Sequence, residues 1–89
     1  MQTISILVKG LVQGVYYRQS AKEKAISLEI TGTVKNLPGG DVELIATGDA
    51  AHLKDLINWC RQGPARAIVR EIKTNELPFQ QFSDFRIIR

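Results

Sequence analysis

With 89 residues, the chain is long enough for one small domain but not for two, and its hydrophobic content of 44% is ordinary for a globular fold. The net charge of +3 is only mildly basic, and no block of lysines and arginines points to nucleic acid. No apolar run approaches the roughly 20 residues that span a bilayer, and the N-terminal segment lacks the basic lead-in and cleavage site of a signal peptide. The single cysteine, Cys60, cannot form an intrachain disulfide and reads as a core residue. We therefore expect one cytoplasmic domain over residues 1–89.

The chain opens with a strand that passes through a glycine-bearing loop into a helix. Alternating apolar residues predict the strand over about residues 3–9, and helical spacing predicts the helix from about Tyr17 to Leu28 or Glu29. Such a junction can turn several backbone N–H groups toward one point, where the helix dipole also favours an anion. Arg18 lies where the loop meets the helix, and its guanidinium suits bidentate phosphate contacts. For this segment alone, a plain glycine connection with a solvent-facing arginine is the simpler interpretation.

A hairpin is predicted next. Strand patterns at about residues 31–36 and 41–47 flank Leu37-Pro38-Gly39-Gly40, which is a strong turn signal. Asn36 would then lie at the end of the first of these strands. Asparagine also favours turns for purely conformational reasons, so its position alone does not assign it a function.

A second helix and two strands complete the predicted elements. Asp49 is suited to cap the helix, and Gly63-Pro64 ends it. The helix has one apolar face, formed by Leu53, Leu56, Ile57 and Cys60. Residues 66–74 follow as a strand, and residues 85–88 form a short last one. Alternation in the longer strand puts Ala67, Val69 and Glu71 on one face and Ile68, Arg70 and Ile72 on the other.

This order of elements, βαββαβ with a short C-terminal strand, predicts an α+β fold of the ferredoxin-like type. It is a two-layer sandwich in which two helices cover one face of an antiparallel sheet. A monomer is the default expectation for this fold. The later arginines, Arg66, Arg70, Arg86 and Arg89, read most simply as surface charges.

Two segments together resemble the signatures of the acylphosphatase family. The first is similar to that family's Gly-x-Val-Gln-Gly-Val-x-aromatic-Arg motif, through Gly10, Val12, Gln13, Gly14, Val15, Tyr17 and Arg18. The second is similar to its Gly-x-x-Lys-Asn-x-x-x-Gly-x-Val motif with a further glycine downstream, through Gly32, Lys35, Asn36, Gly40, Val42 and Gly48. The resemblance covers essentially the whole chain and implies the same fold. Tyr17 stands where phenylalanine is usual, Thr33 where an aromatic is usual, and no terminal aromatic residue follows the last strand.

The resemblance implies a hydrolase of acid anhydrides that cleaves small acyl phosphates to a carboxylate and inorganic phosphate, which is both product and inhibitor. It implies a phosphate cradle made by the backbone N–H groups of Gln13, Gly14, Val15, Tyr16, Tyr17 and Arg18 and by the Arg18 guanidinium. The Asn36 amide would orient the attacking water. We expect no metal or other cofactor, because the sequence has no cluster with metal-ligand spacing. The only histidine, His52, reads as a surface or helix-start residue.

The alternative is a non-catalytic module that binds RNA or a small ligand, since ferredoxin-like domains serve these functions too. RNA binding through the sheet usually uses aromatic residues on its central strands. The candidate positions, Thr3, Ser5, Leu7 and Lys9 or Ala67, Val69 and Glu71, are not aromatic, so we expect no nucleic-acid partner. A domain of this type also occurs within larger carbamoyl-transfer maturation proteins, but the chain length favours a free-standing protein.

Overall fold

The computed structural model describes residues 1–89 and contains five strands and two helices. In chain order they are β1 (Gln2–Leu11), α1 (Tyr17–Ser27), β2 (Thr31–Asn36), β3 (Val42–Gly48), α2 (Ala50–Gln62), β4 (Ile68–Leu77) and β5 (Phe85–Ile88). The predicted order of elements is confirmed, and most bounds agree within two residues. Neither helix has the length and apolarity of a membrane-spanning segment.

The strands form one sheet in the order β4-β1-β3-β2-β5. The pairs β1–β3, β1–β4 and β2–β3 are antiparallel, but β5 pairs parallel to β2. The expected all-antiparallel sheet is therefore wrong at this last strand, and the sheet is mixed. The reason lies in the path of the chain: β4 runs opposite to both β1 and β2, so one reversal after β4 leaves β5 running in the direction of β2.

The core lies between the sheet and the two helices. Ile4, Ile6 and Val8 are the buried apolar residues of β1, and Ala21 and Ala25 are buried on α1. Small residues on α1 let the helix approach the sheet closely. The predicted buried face of α2 is confirmed, because its members are either buried or packed against the core: Leu53, Leu56, Ile57 and Cys60.

The predicted alternation of β4 is wrong beyond Val69. The register of β4 against β1 shifts by one residue, which leaves Arg70 without a partner. Because a bulge inserts one extra residue, the two faces of the strand exchange at this point. Ile72 therefore packs against the core together with Val69, whereas Glu71 is exposed. Gly10, opposite the bulge, has a φ of 136°, a conformation that disfavours any side chain.

A fully paired hydrogen-bond network closes the end of the sheet where β1 begins and β3 ends. The Thr3 and Thr47 side-chain oxygens lie 2.7 Å apart, and both residues are buried. Gln80 N–H donates to Thr3 Oγ1 over 2.9 Å, and Thr47 Oγ1 donates to the Gln80 carbonyl over 2.8 Å. These bonds fasten the β4–β5 connection to the sheet. We call this region the threonine end.

Candidate active site

The loop between β1 and α1 presents backbone donors that the chain itself does not use. Gly14 has a φ of 75°, and Tyr16, which precedes the first helical residue, is left-handed with φ 66° and ψ 22°. The N–H groups of Gln13 to Tyr16 donate to no backbone carbonyl, and no side chain caps the first turn of α1. Free N–H groups at a helix N-terminus favour an anion. The loop therefore has the chemistry predicted for a phosphate cradle.

A cleft of about 260 Å³ lies beside this loop, at the end of the sheet where β1 ends and β3 begins. We call this end of the sheet the cleft end. It brings Arg18, from the first turn of α1, together with Asn36, the last residue of β2. The full lining comprises Val12, Gly14, Tyr16, Tyr17, Arg18, Gln19, Asn36, Ile87 and Arg89. Of the predicted site residues, Gln13 and Val15 belong to the loop but do not line the cleft.

The electrostatics of the cleft favour an anion. Two of its lining residues, Arg18 and Arg89, carry a positive charge, and none is acidic. No carboxylate lies within salt-bridge distance of the Arg18 guanidinium. The charge of Arg18 is therefore not neutralised within the chain, and its planar fork remains available to oxygen atoms of a bound group.

Asn36 contributes an unsatisfied acceptor to the same cleft. Its Oδ1 atom is buried and has no hydrogen-bond partner. Leaving a buried acceptor unpaired costs about 1–3 kcal/mol, so each such atom requires an explanation, and a bound water or ligand is one. The departure at Thr33 does not affect this arrangement. Thr33 lies on the opposite face of β2 and lines a different hollow, together with Asp84 and Arg86.

Tyr17 belongs to the core rather than to the reactive surface. Its hydroxyl donates to the Cys60 carbonyl over 2.8 Å, and its ring centroid lies 5.4 Å from that of Trp59. Burial raises the pKa of the Tyr17 hydroxyl far above its usual range and raises the pKa of the Cys60 thiol to about 12. Both groups remain protonated near neutral pH, so neither supplies a base or a thiolate nucleophile. Any contribution of Tyr17 to the cradle is limited to its backbone N–H.

The side chain of Gln13 is bonded to the hairpin. Its Nε2 donates to the Leu37 carbonyl over 2.9 Å and to the Asp41 carbonyl over 2.8 Å. Only the backbone N–H of Gln13 is therefore free to serve the loop. His52 lies on α2, away from the cleft, and no three His, Cys, Asp or Glu side chains are grouped as metal ligands.

The sequence did not predict that β5 and the residue that follows it line one side of the cleft. Ile87 and Arg89 line it, although Arg89 reads from the sequence as a surface charge. Ile87 pairs with Val34 in the register of β2 and β5. Two residues further along each strand, Arg89 and Asn36 lie on the same face. The alternation of Phe85, Ile87 and Arg89 is visible in the sequence, but it locates Arg89 only once the partner strand is known.

Known proteins resemble this chain in both sequence and fold. The family model described as Acylphosphatase matches residues 4–87. An acylphosphatase of Marinobacter nauticus is 54% identical over 82 residues, which is 91% of this chain and 89% of that protein. The solved acylphosphatase structure from Coxiella burnetii is 41% identical with a TM-score of 0.95, covering 98% of this chain and 92% of its own. That from Bacillus subtilis is 29% identical with a TM-score of 0.97, covering 100% of both chains.

The agreement extends over nearly the whole chain in both sequence and fold. It confirms the sequence-based assignment of the chain as an acylphosphatase-type enzyme, a hydrolase of acid anhydrides. The ferredoxin-like architecture is confirmed as well, with the correction that its sheet is mixed. The chain therefore belongs to the acylphosphatase family.

Proposed function

We propose that the cleft between α1 and β2 hydrolyses the carboxyl-phosphate bond of small acyl phosphates, with Arg18 and Asn36 as its catalytic residues. The observation that carries the proposal is their juxtaposition. An arginine without an ion-pair partner and free loop N–H groups share one cleft with the unpaired Oδ1 of Asn36. The first two groups suit the phosphoryl oxygens, and the third suits a water molecule.

Phosphoryl transfer places most of its demand on positioning and on stabilisation of charge. The backbone N–H groups of Gln13 to Arg18 would hold the phosphoryl oxygens, and the Arg18 guanidinium would neutralise the charge that they carry. Because these donors belong to the backbone of the loop and of the first turn of α1, they need to move little when substrate binds. The carboxylate is a weak base and leaves without an acid, which agrees with the lack of a histidine in the cleft.

Asn36 would orient the nucleophile. Its Oδ1 accepts a hydrogen bond from a water molecule and directs the water oxygen at phosphorus, opposite the acyl oxygen. The oxygen–phosphorus bond forms as the phosphorus–acyl oxygen bond breaks, and the carboxylate leaves with that electron pair. A neutral amide is too weak a base to take the water proton, so the proton passes to a phosphoryl oxygen. The products are a carboxylate and inorganic phosphate.

The proposal also covers the state of the protein. The buried apolar residues form one core, and we propose that residues 1–89 are a single domain that functions as a monomer. We further propose a cytoplasmic location, because the only cysteine, Cys60, is a free thiol and the fold is built without the disulfides typical of small secreted domains. Inorganic phosphate would bind the cradle as product and inhibitor.

The first test is hydrolysis of benzoyl phosphate, followed by its ultraviolet absorbance in a buffer that contains EDTA. We expect turnover far above the spontaneous rate, competitive inhibition by inorganic phosphate and no change when magnesium replaces EDTA. A folded sample that shows no turnover would overturn the proposal, and the binding-module interpretation would replace it.

A further inference from the structure

The Gln13 side chain joins the loop between β1 and α1, which carries the free N–H groups, to the β2–β3 hairpin, which carries Asn36. Its amide nitrogen donates to the carbonyls of Leu37 and Asp41, 2.9 and 2.8 Å away. Leu37 directly follows Asn36, and Asp41 directly precedes Val42, which is the β3 partner of Asn36. One amide therefore holds both strands of the hairpin immediately beyond the Asn36–Val42 pair.

These bonds are not needed to close the turn. The Leu37 N–H already donates to the Asp41 carbonyl over 2.8 Å, and the Gly40 N–H donates to the Leu37 carbonyl over 3.3 Å. What the Gln13 amide adds is a link from the closed hairpin to the loop that carries the free N–H groups. A second side-chain link reaches the hairpin from β1, where Lys9 Nζ lies 3.1 Å from Asp41 Oδ2, between side chains that are 34% and 27% exposed. A partly exposed ion pair of this kind constrains geometry weakly.

We propose that Gln13 is a positioning residue, whose side chain sets the place of Asn36 relative to the phosphate-binding loop. This inference rests on the proposed function, since it requires that Asn36 orient the attacking water. In-line attack tolerates little displacement of the nucleophile, and a shift of about 1 Å can cost about a hundredfold in rate. A rigid link between the cradle and Asn36 is therefore a direct requirement of the chemistry. The two bonds from Gln13 Nε2 add to the backbone pairing of Val8 with Val42 and are the part of the link that starts in the loop itself.

The variant Gln13→Met tests this role because it preserves the length of the side chain and removes both donors. We expect kcat for benzoyl phosphate to fall about tenfold, in line with a displacement of less than 1 Å. The inhibition constant of inorganic phosphate should stay within about twofold, because the cradle is made of backbone N–H groups and Arg18. Gln13→Asn, whose shorter side chain cannot reach both carbonyls, should also lower kcat. It replaces Gln13→Met in the test if that variant does not fold.

Lys9→Met is the matched control. It removes the other link to Asp41 and leaves the Gln13 bonds in place. We expect a small loss of stability and an unchanged kcat. An equal loss of kcat in Lys9→Met would show that any loosening of the hairpin suffices, and would overturn the specific role of Gln13.

A double-mutant cycle separates positioning from general stabilisation. If Gln13 acts through Asn36, Gln13→Met should lower kcat in the wild-type background and have almost no further effect in Asn36→Ala. The inference is overturned if the cost is equal in both backgrounds, or if phosphate inhibition weakens in step with kcat. Failure of the proposed function has a different signature, because Asn36→Ala alone would then retain the wild-type kcat.

Discussion

The cleft end and the threonine end of the sheet treat polar groups in opposite ways. At the threonine end, the Thr3 and Thr47 hydroxyls and the Gln80 backbone satisfy one another. At the cleft end, Asn36 Oδ1 is buried without a partner and the Arg18 guanidinium has no carboxylate beside it. Both ends belong to the same sheet, and β1 contributes to both of them.

The difference separates polar groups that stabilise the fold from polar groups that are held ready for a ligand. A satisfied buried hydrogen bond contributes about 1 kcal/mol, whereas an unpaired buried acceptor costs about 1–3 kcal/mol. Such local violations of the rules of stability are expected where function requires them. Mutations at the two ends should therefore have opposite signatures, with loss of activity at the cleft end and loss of stability at the threonine end.

The largest effect is expected for Arg18→Ala. The substitution removes the guanidinium that α1 places in the cleft to neutralise the phosphoryl oxygens. The kcat/KM for benzoyl phosphate should therefore fall about a thousandfold. Phosphate inhibition should weaken strongly as well, whereas the urea midpoint should hardly change, because Arg18 has no ion pair to lose. Arg61→Ala, at an exposed position of α2, is the matched control and should leave kcat/KM and phosphate inhibition unchanged. Undiminished phosphate inhibition in Arg18→Ala would contradict the assignment.

Asn36→Ala should have the next largest effect. Loss of the water-orienting amide should lower kcat about a hundredfold, while phosphate inhibition stays within about twofold because the cradle is intact. Stability should be equal or higher by about 1 kcal/mol, since the variant removes an unpaired buried acceptor. The matched control is Asn58→Ala, at an exposed position of α2. A clear loss of stability in Asn36→Ala would show that the amide is structural.

Much of this comparison could be predicted from the sequence, because its signals are local. Period-two and helical patterns predicted the elements, and the two motifs predicted that Arg18 and Asn36 matter. The fold then brings the end of β2 beside the start of α1, as the structure shows. Their roles in chemistry remain predictions until the variants are measured.

What could not be predicted depends on partners far apart in sequence. The bulge at Arg70 arises from the register of β4 against β1, and neither strand encodes it alone. The parallel pairing of β5 with β2 likewise determines that Ile87 and Arg89 reach the cleft. The Gln13 bonds join a loop to a turn 24 and 28 residues away. Periodicity within a segment contains none of this information.

Thr47→Val tests the threonine end with a nearly isosteric change. The variant leaves Thr3 Oγ1 without one partner and the Gln80 carbonyl without its closest donor, so the free energy of unfolding should fall by about 1–2 kcal/mol. The kcat should be unchanged, since the network lies at the far end of the sheet from the cleft. Thr74→Val, at an exposed position of β4, should be nearly neutral in the same urea titration. A loss of activity in Thr47→Val would show that the two ends are coupled.

Tyr17→Phe brings the comparison down to two neighbouring residues and has the smallest expected effect. Tyr17 and Arg18 share the first turn of α1, but the Tyr17 hydroxyl is bonded to the carbonyl of Cys60, near the C-terminus of α2. Its loss leaves that carbonyl unpaired and should lower stability by about 1 kcal/mol, while the packing of the ring on Trp59 is retained. Because the backbone N–H of residue 17 is unchanged, kcat should stay within about twofold. A larger fall in kcat with normal stability would place the hydroxyl in the chemistry. The outcome that we expect would show that the Tyr17 hydroxyl stabilises the fold, whereas the guanidinium of its neighbour Arg18 is available to a ligand.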